Sequence, residues 1–284
     1  MKKVAILTDS TASIPAEQMK QYGISSVPLG IIWGEVTFED GITLTPHDFY
    51  ERLKTAKVLP STSQPSVGTS RAAMQTLLDQ DYDILGIFLS SKFSGTFQAA
   101  CQARDLLPKG SHVEIKDSLT VTLPTGFQVL AAARAAKDGA TLAECNQIAE
   151  QVRCNSGVYF MVDTLEFLHR GGRIGGAQRF LGTALGTKPI LYIKDGKIES
   201  LERVRTKGKA LDRLVELVIE KCAGKNNIRL ACVHANATED ALAVLEKAGL
   251  QLAPIETIIS DLSPVIGLHV GPGTVALAYE TGQS

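Results

Sequence analysis

Short, uncharged apolar runs alternate with helix-forming segments along the first half of the chain, and this pattern narrows the possible folds most. "KVAILT" (3–8), "ILGIFL" (84–89) and the less uniform "HVEIKD" (112–117) have the length and residue types of strands. A continuous apolar run, unlike an alternating one, belongs to a strand covered on both faces, which is the condition of a parallel sheet between helical layers. Between the runs lie helix signals. Ser13, Pro15 and Gly23 frame "SIPAEQMKQYG", with Ser13 as its cap; Thr45, Pro46 and Asp48 open 45–54; "VGTSRAAMQTLLDQ" and "TGFQVLAAARAAKDG" follow; "TLAECNQIAEQV" begins with a T-x-x-E capping box. "ISSVPLGIIW" (24–33) reads as one further strand, and "LPSTSQPS" (59–66) as a loop. The expected first unit is a three-layer α/β domain with a mainly parallel sheet.

After residue 155 the pattern changes. "YFMVDT" reads as a strand and "LEFLHRGG" as a short helix ended by glycine. Asp195-Gly196 sits between strand-like runs, a strong hairpin signal. A long helix over 206–224, a strand at 228–235, a helix at 238–249 and strands over 255–260 and 267–280 complete the chain. Hairpins mixed with helices predict an α+β domain with a mixed sheet. The expected domains are 1–155 and 156–284, with "RCNSG" at the boundary.

With 284 residues, 44% of them hydrophobic, the chain can bury a large core. Its 29 Lys and Arg balance 30 Asp and Glu without long like-charge runs, which argues against a nucleic-acid or membrane-surface footprint beyond transient membrane contact. No uncharged apolar stretch reaches the roughly 18 residues of a membrane span, and "MKKVAILTDST" is broken by Asp9 too early for a signal peptide, so a cytoplasmic location is expected. The five cysteines, Cys101, Cys145, Cys154, Cys222 and Cys232, lack C-x-x-C spacing and read as small buried hydrophobes. The five histidines form no pair at ligand spacing, so neither a metal nor a cofactor is expected.

Chemistry concentrates in "SSKFSGTFQAA" (90–100), at the carboxyl end of the "ILGIFL" run and at the start of a helix. Ligands of open α/β sheets bind there, and helix N–H groups favour anions. Gly95 permits close backbone approach and Ser94 offers a hydroxyl, so a phosphate or carboxylate is the natural ligand. Taken alone, the serines are accounted for by N-capping. "FSGT" is not a G-x-S-x-G elbow, and "GGRIGG" has neither phosphate-loop nor dinucleotide spacing, so serine hydrolysis and nucleotide binding gain no support.

"TDSTASIP" (8–15), "STSQPS" (61–66), "SSKFSGTFQAA", "LEFLHRGGRIG" (165–175), "KPIL" with "DGKI" and "RVRTKGKAL" (188–211), and "HVGPGTVAL" (269–277) are six blocks in one order, and together they resemble the DegV family of bacterial fatty-acid-binding proteins. The resemblance implies a two-domain, non-enzymatic carrier holding one long-chain fatty acid in a tunnel between its domains and delivering it to a separate fatty acid kinase for acyl phosphate formation in phospholipid synthesis. It implies carboxylate contacts from Thr62, with Ser63 beside it, from Ser94 and the N–H of Gly95, and from His269, which a buried structural role explains equally. Arg173 and Arg205 become candidate contacts for the kinase or a phosphate, while Asp9, Ser10 and Thr11 either shape the crevice or cap the next helix. Three departures bear on the tail rather than the head group: Ser13 where an acid is common, Phe93 where an aliphatic is common, and the loose block "DSLTVTLPTGFQV". The competing class is a small-molecule phosphotransferase or hydrolase using the same anion cradle with His269.

Overall fold

The computed structural model of the chain describes residues 2–182 and 186–282. The chain opens with β1 (Lys3–Asp9), buried at every position after Lys3. A 3-10 turn at Ser10–Ala12 follows, held by Asp9, whose Oδ1 accepts from the Thr11 N–H at 2.9 Å. Then come α1 (Ala16–Gln21), β2 (Ser25–Val27), β3 (Gly30–Trp33), β4 (Val36–Glu39), α2 (Pro46–Lys54), β5 (Ser61–Ser63), α3 (Val67–Asp79), β6 (Tyr82–Phe88), α4 (Thr96–Asp105), β7 (Val113–Asp117), α5 (Leu123–Lys137) and α6 (Leu142–Cys154). Strands β2-β1-β6-β7 form a parallel sheet in that order. Side chains alternate between its faces: Ala5, Leu7, Ile84 and Phe88 join the apolar cluster with α3 and α4, whereas Val4, Ile6, Leu85 and Ile87 join the one with α5.

The remainder is β8 (Ser156–Met161), α7 (Glu166–Arg170), β9 (Lys188–Lys194), β10 (Lys197–Val204), α8 (Lys207–Cys222), β11 (Ile228–His234), α9 (Thr238–Leu252), β12 (Glu256–Asp261), α10 (Pro264–Val270) and β13 (Val275–Thr281). A second sheet runs β10-β9-β8-β13-β11-β12, antiparallel except for the β11–β12 pair that α9 connects. The expected fold class is therefore the observed one, a mainly parallel α/β sheet followed by a mixed α+β sheet. Asp195 and Gly196 both take positive φ at the tip of the β9–β10 hairpin, as its turn requires.

Helix α5 explains how the halves join. Ten of its fifteen residues are buried, Leu123 through Leu130 without a break. One cluster of buried side chains runs from Leu85 and Ile87 through Phe127 and Leu130 to Phe160 and Ala276, so α5 is enclosed between the two sheets. Only Asn155 separates α6 from β8.

Several local expectations are corrected. The stretch 24–33 is two strands, because Pro28 brings no N–H to a ladder: β2 stays in the parallel sheet, and β3 opens a separate antiparallel sheet, β4-β3-β5. The supposed loop 61–63 is β5, its polar residues held by pairing with Gly30, Ile31 and Ile32. The expected strand beginning at Gly267 is helix α10, with Pro264 in its first turn and the Ser263 hydroxyl accepting from the Ile266 N–H at 3.4 Å. Being buried nearly all round, that helix shows no polar face to betray it. Ser13 does not cap α1; it sits at φ 55 and Pro15 takes the cap position. Cys145, Cys222 and Cys232 are buried, whereas Cys154 is exposed at the end of α6.

Candidate functional site

A cavity of about 350 Å³ opens where the parallel sheet ends, between β5, the start of α4, α10 and the β9–β10 hairpin. That is within the usual range for small-ligand sites. Leu29, Leu89, Phe93, Val121, Leu168 and Ile198 are among the apolar side chains along it, and uncharged polar groups meet where β5 approaches α10 and the start of α4: Thr62, Ser63, Gln64, Ser94, Gly95 and His269, with Arg173 also in the lining. Val121 is bracketed by Leu119 at φ 52 and Thr122 at φ 58, two left-handed non-glycine residues that hold it against the cavity.

Each polar group is set by an identifiable element. Thr62 is the middle residue of β5, paired with Ile31, and its Oγ1 lies 3.1 Å from Nε2 of His269 on α10. Ser63 points the other way along the pleat, its hydroxyl packed over Gly30. Ser94 Oγ accepts from the Thr96 N–H at 3.3 Å and lies 2.9 Å from Thr96 Oγ1, so it closes a short turn into α4 while lining the cavity. The N–H of Gly95, the residue before α4, has no acceptor among the described residues. The Gln64 amide packs on Gly95 so closely that a Cβ there would lie 1.9 Å from Oε1.

Burial holds the His269 imidazole neutral, pulling its pKa down to about 4, and the nearby Arg173 cation adds to the shift. Its Nδ1 is buried and without a partner among the described residues. A proton on Nδ1 would be an orphaned donor, so the proton sits on Nε2 and is donated to Thr62 Oγ1. The Thr62 hydroxyl, its oxygen already accepting, is left to donate into the cavity. Arg173 is held by main-chain acceptors: Nε donates to Phe93 O at 3.1 Å and Nη1 to Gly171 O at 2.6 Å. It braces the loop before α4 against the turn after α7.

Other expected residues lie elsewhere. Arg205 is exposed between β10 and α8, outside the cavity lining. Asp9 is buried and raised in pKa by that burial; it accepts from the N–H groups of Thr11 and Leu89, tying the ends of β1 and β6. Two residues passed over in the sequence matter here. Gln64 is contiguous with Thr62 in a polar run that gave no reason to single it out. Asp40 is the second of two adjacent acids in "FEDG", and nothing local announces its burial.

Fold and cavity together define a class: an α/β protein in which a parallel and a mixed sheet flank an apolar cavity with one uncharged polar end. Within that class the chain belongs to the DegV family, since residues 3–282 match the family described as "Uncharacterised protein, DegV family". It is 37% identical to Protein DegV of Bacillus subtilis, over 97% of this chain and 98% of that one, and 36% identical to a DegV domain-containing protein of Halalkalibacterium halodurans, over 98% and 99%. Among solved structures, the DegV family protein of Thermus thermophilus, described by its fatty acid binding, superposes with a TM-score of 0.93 at 31% identity, covering 99% of this chain and 100% of that one. DegV of Bacillus subtilis, described as a fatty acid binding protein, does so at 0.91 and 35%, with the same coverage.

Proposed function

We propose that the chain binds one long-chain fatty acid, its carboxylate at the polar end of the cavity and its tail along the apolar lining. The arrangement that carries this reading is the convergence of the Thr62 and Ser94 hydroxyls and the unpaired Gly95 N–H at the end of an otherwise apolar space. Such donors hold a carboxylate by charge-assisted hydrogen bonds without a buried countercharge. His269 serves by orienting Thr62, and Ser63 by flanking it. Each buried methylene contributes about 0.8 kcal/mol, so a sixteen-carbon tail brings about 10 kcal/mol before ordering costs. The tail supplies affinity and the polar end supplies orientation. The relatives described as fatty acid binding support the same reading.

We further propose that the chain is a cytoplasmic carrier rather than an enzyme, with domains 1–155 and 156–284 on either side of the tunnel, and that it presents its acyl group to a fatty acid kinase. Arg205 and the rim beside Arg173 are the proposed contacts. Mass spectrometry of organic extracts from the purified protein tests the core of this. A stoichiometric long-chain fatty acid is expected; its absence, with no uptake of palmitate by the stripped protein, would refute the reading. Acyl phosphate formation when a purified fatty acid kinase and ATP are added tests the presenting role.

A further inference from the structure

Thr62 and His269 reach their 3.1 Å contact from separate parts of the fold: β5 belongs to the small antiparallel sheet, and α10 leads into the mixed sheet. One buried side chain joins them. Asp40, directly after β4, is 2% exposed. Its Oδ1 accepts from the Val265 N–H at 3.4 Å, in the first turn of α10 and one helical turn before His269. Its Oδ2 accepts from the Ser10 hydroxyl at 2.6 Å. Ser10 Oγ in turn accepts from the Leu29 N–H at 3.1 Å, and the Asp40 N–H donates to Leu29 O at 2.9 Å. Leu29 lines the cavity and leads into β3, where Ile31 pairs with Thr62. Asp40 thus fastens the strand system carrying Thr62 to the helix carrying His269.

We propose that Asp40 is a positioning residue: its ionised carboxylate holds Thr62 and His269 in register, and its protonation weakens carboxylate binding at the cavity. This rests on the fatty acid reading above. A carboxylate accepts at both oxygens and complements the α10 N-terminus, whereas a protonated carboxyl turns one oxygen into a donor and removes the charge. The change falls at an accessible pH. Burial, only partly offset by the Ser10, Ser263 and Val265 donors, pushes the Asp40 pKa up to about 6, and the Asp9 charge at the end of β1 adds to the rise. From α2, Tyr50 faces it; burial raises that phenol far above its usual range, so it stays neutral, and it donates to Leu262 O at 3.5 Å. Asp261, at the end of β12, acts on Tyr50 and sits 3.4 Å from His234 Nδ1, whose own pKa burial lowers. No cation forms an ion pair with Asp40 among the described residues. His269 titrates near 4, below the Asp40 range, whereas burial raises the carboxyl of a bound fatty acid as well, so a profile kept by Asp40→Asn would be the ligand's own. Asp9, raised by burial, and His234, lowered by it from the ordinary histidine value, are the neighbours whose titration would mimic the effect.

Palmitate affinity measured between pH 7.5 and 5.2 on wild type, Asp40→Asn and Ser10→Ala tests this. Wild type should weaken about fivefold on acidification with a midpoint near 6, the difference between a charge-assisted and a neutral hydrogen bond. Asp40→Asn, which mimics the protonated carboxyl, should be weak by the same factor and flat across the range. Ser10→Ala removes a donor to the carboxylate and should move the midpoint to higher pH. A flat wild-type profile, or one kept by Asp40→Asn, overturns the proposal. The ¹⁵N shifts of the His269 imidazole in the unliganded protein keep the two readings apart. If palmitate never binds, the fatty acid reading fails. A wild-type shift change near pH 6 that Asp40→Asn lacks still sustains the coupling, and its absence refutes it.

Discussion

Gly171→Ala should break the site while sparing the fold. Gly171 ends α7 at φ −73 and ψ −9, a helical conformation that alanine adopts freely, so the backbone cost is nil and the unfolded state loses entropy worth about 0.5 kcal/mol. The new methyl, however, would lie 2.2 Å from His269 Nδ1 and 3.1 Å from Cε1. Ordinary contact is about 3.5 Å, so the ring must retreat by about 1.3 Å. Nδ1 and Nε2 are on opposite edges of the imidazole, and the retreat drives Nε2 toward Thr62, already at 3.1 Å; the ring has to turn out of line instead. Losing that hydrogen bond, and with it the orientation of the Thr62 hydroxyl, costs about 1–2 kcal/mol of binding, or about 5- to 30-fold in Kd. Titration calorimetry with palmitate and a thermal melt read the two effects separately. In a His269→Ala background the same methyl meets no ring, and Gly171→Ala should then be silent. Wild-type affinity in a folded Gly171→Ala protein, or an undiminished loss in the His269→Ala background, would refute the orienting role of His269.

The double substitution Thr62→Ala with Ser94→Ala should weaken palmitate binding by about 2–4 kcal/mol, two charge-assisted hydrogen bonds, with the melting temperature nearly unchanged; unaltered affinity in calorimetry would remove both hydroxyls from the site. Arg173→Gln takes away the cation that helps hold His269 neutral, so its imidazole should titrate above the present value of about 4 while staying below the ordinary histidine value, because burial is the larger cause. An NMR titration that finds no upward movement would show that Arg173 contributes nothing there.

Legibility followed how local each cause was. The two central strands of the parallel sheet were readable because burial on both faces writes itself into consecutive residues: β1 and β6 are apolar almost throughout. β5 was not, since Ser61, Thr62 and Ser63 are extended through pairing with β3, about thirty residues earlier, and carry no apolar signal. Helix α10 failed for the opposite reason, as burial on nearly every side erased its amphipathic period. At the site, Ser94 and Gly95 could be found from a rule about strand ends, whereas Thr62 and His269 needed the family resemblance, and their mutual contact spans 207 residues. Asp40 lay beyond reach. An acid before a glycine looks like a solvated turn, and only the approach of Ser10 and Val265 makes it a buried node.

The uncharged character of the polar end has a physical consequence for a carrier. Arg173, which also lines the cavity, has its Nε and Nη1 engaged by the carbonyls of Phe93 and Gly171 and lends positive potential from there. A buried guanidinium–carboxylate pair would be costly to separate, because release leaves a charge uncompensated. Hydroxyls and a helix-start N–H leave no such charge behind, and the Thr62 hydroxyl has its His269 contact without drawing on a ligand. In the proposed fatty acid complex most of the binding free energy resides in the tail, which is indifferent to what happens at the head group. In the proposed role, a head group could change from carboxylate to acyl phosphate with little change in how the tail is held, provided the donors at Thr62, Ser94 and Gly95 find oxygens in either state.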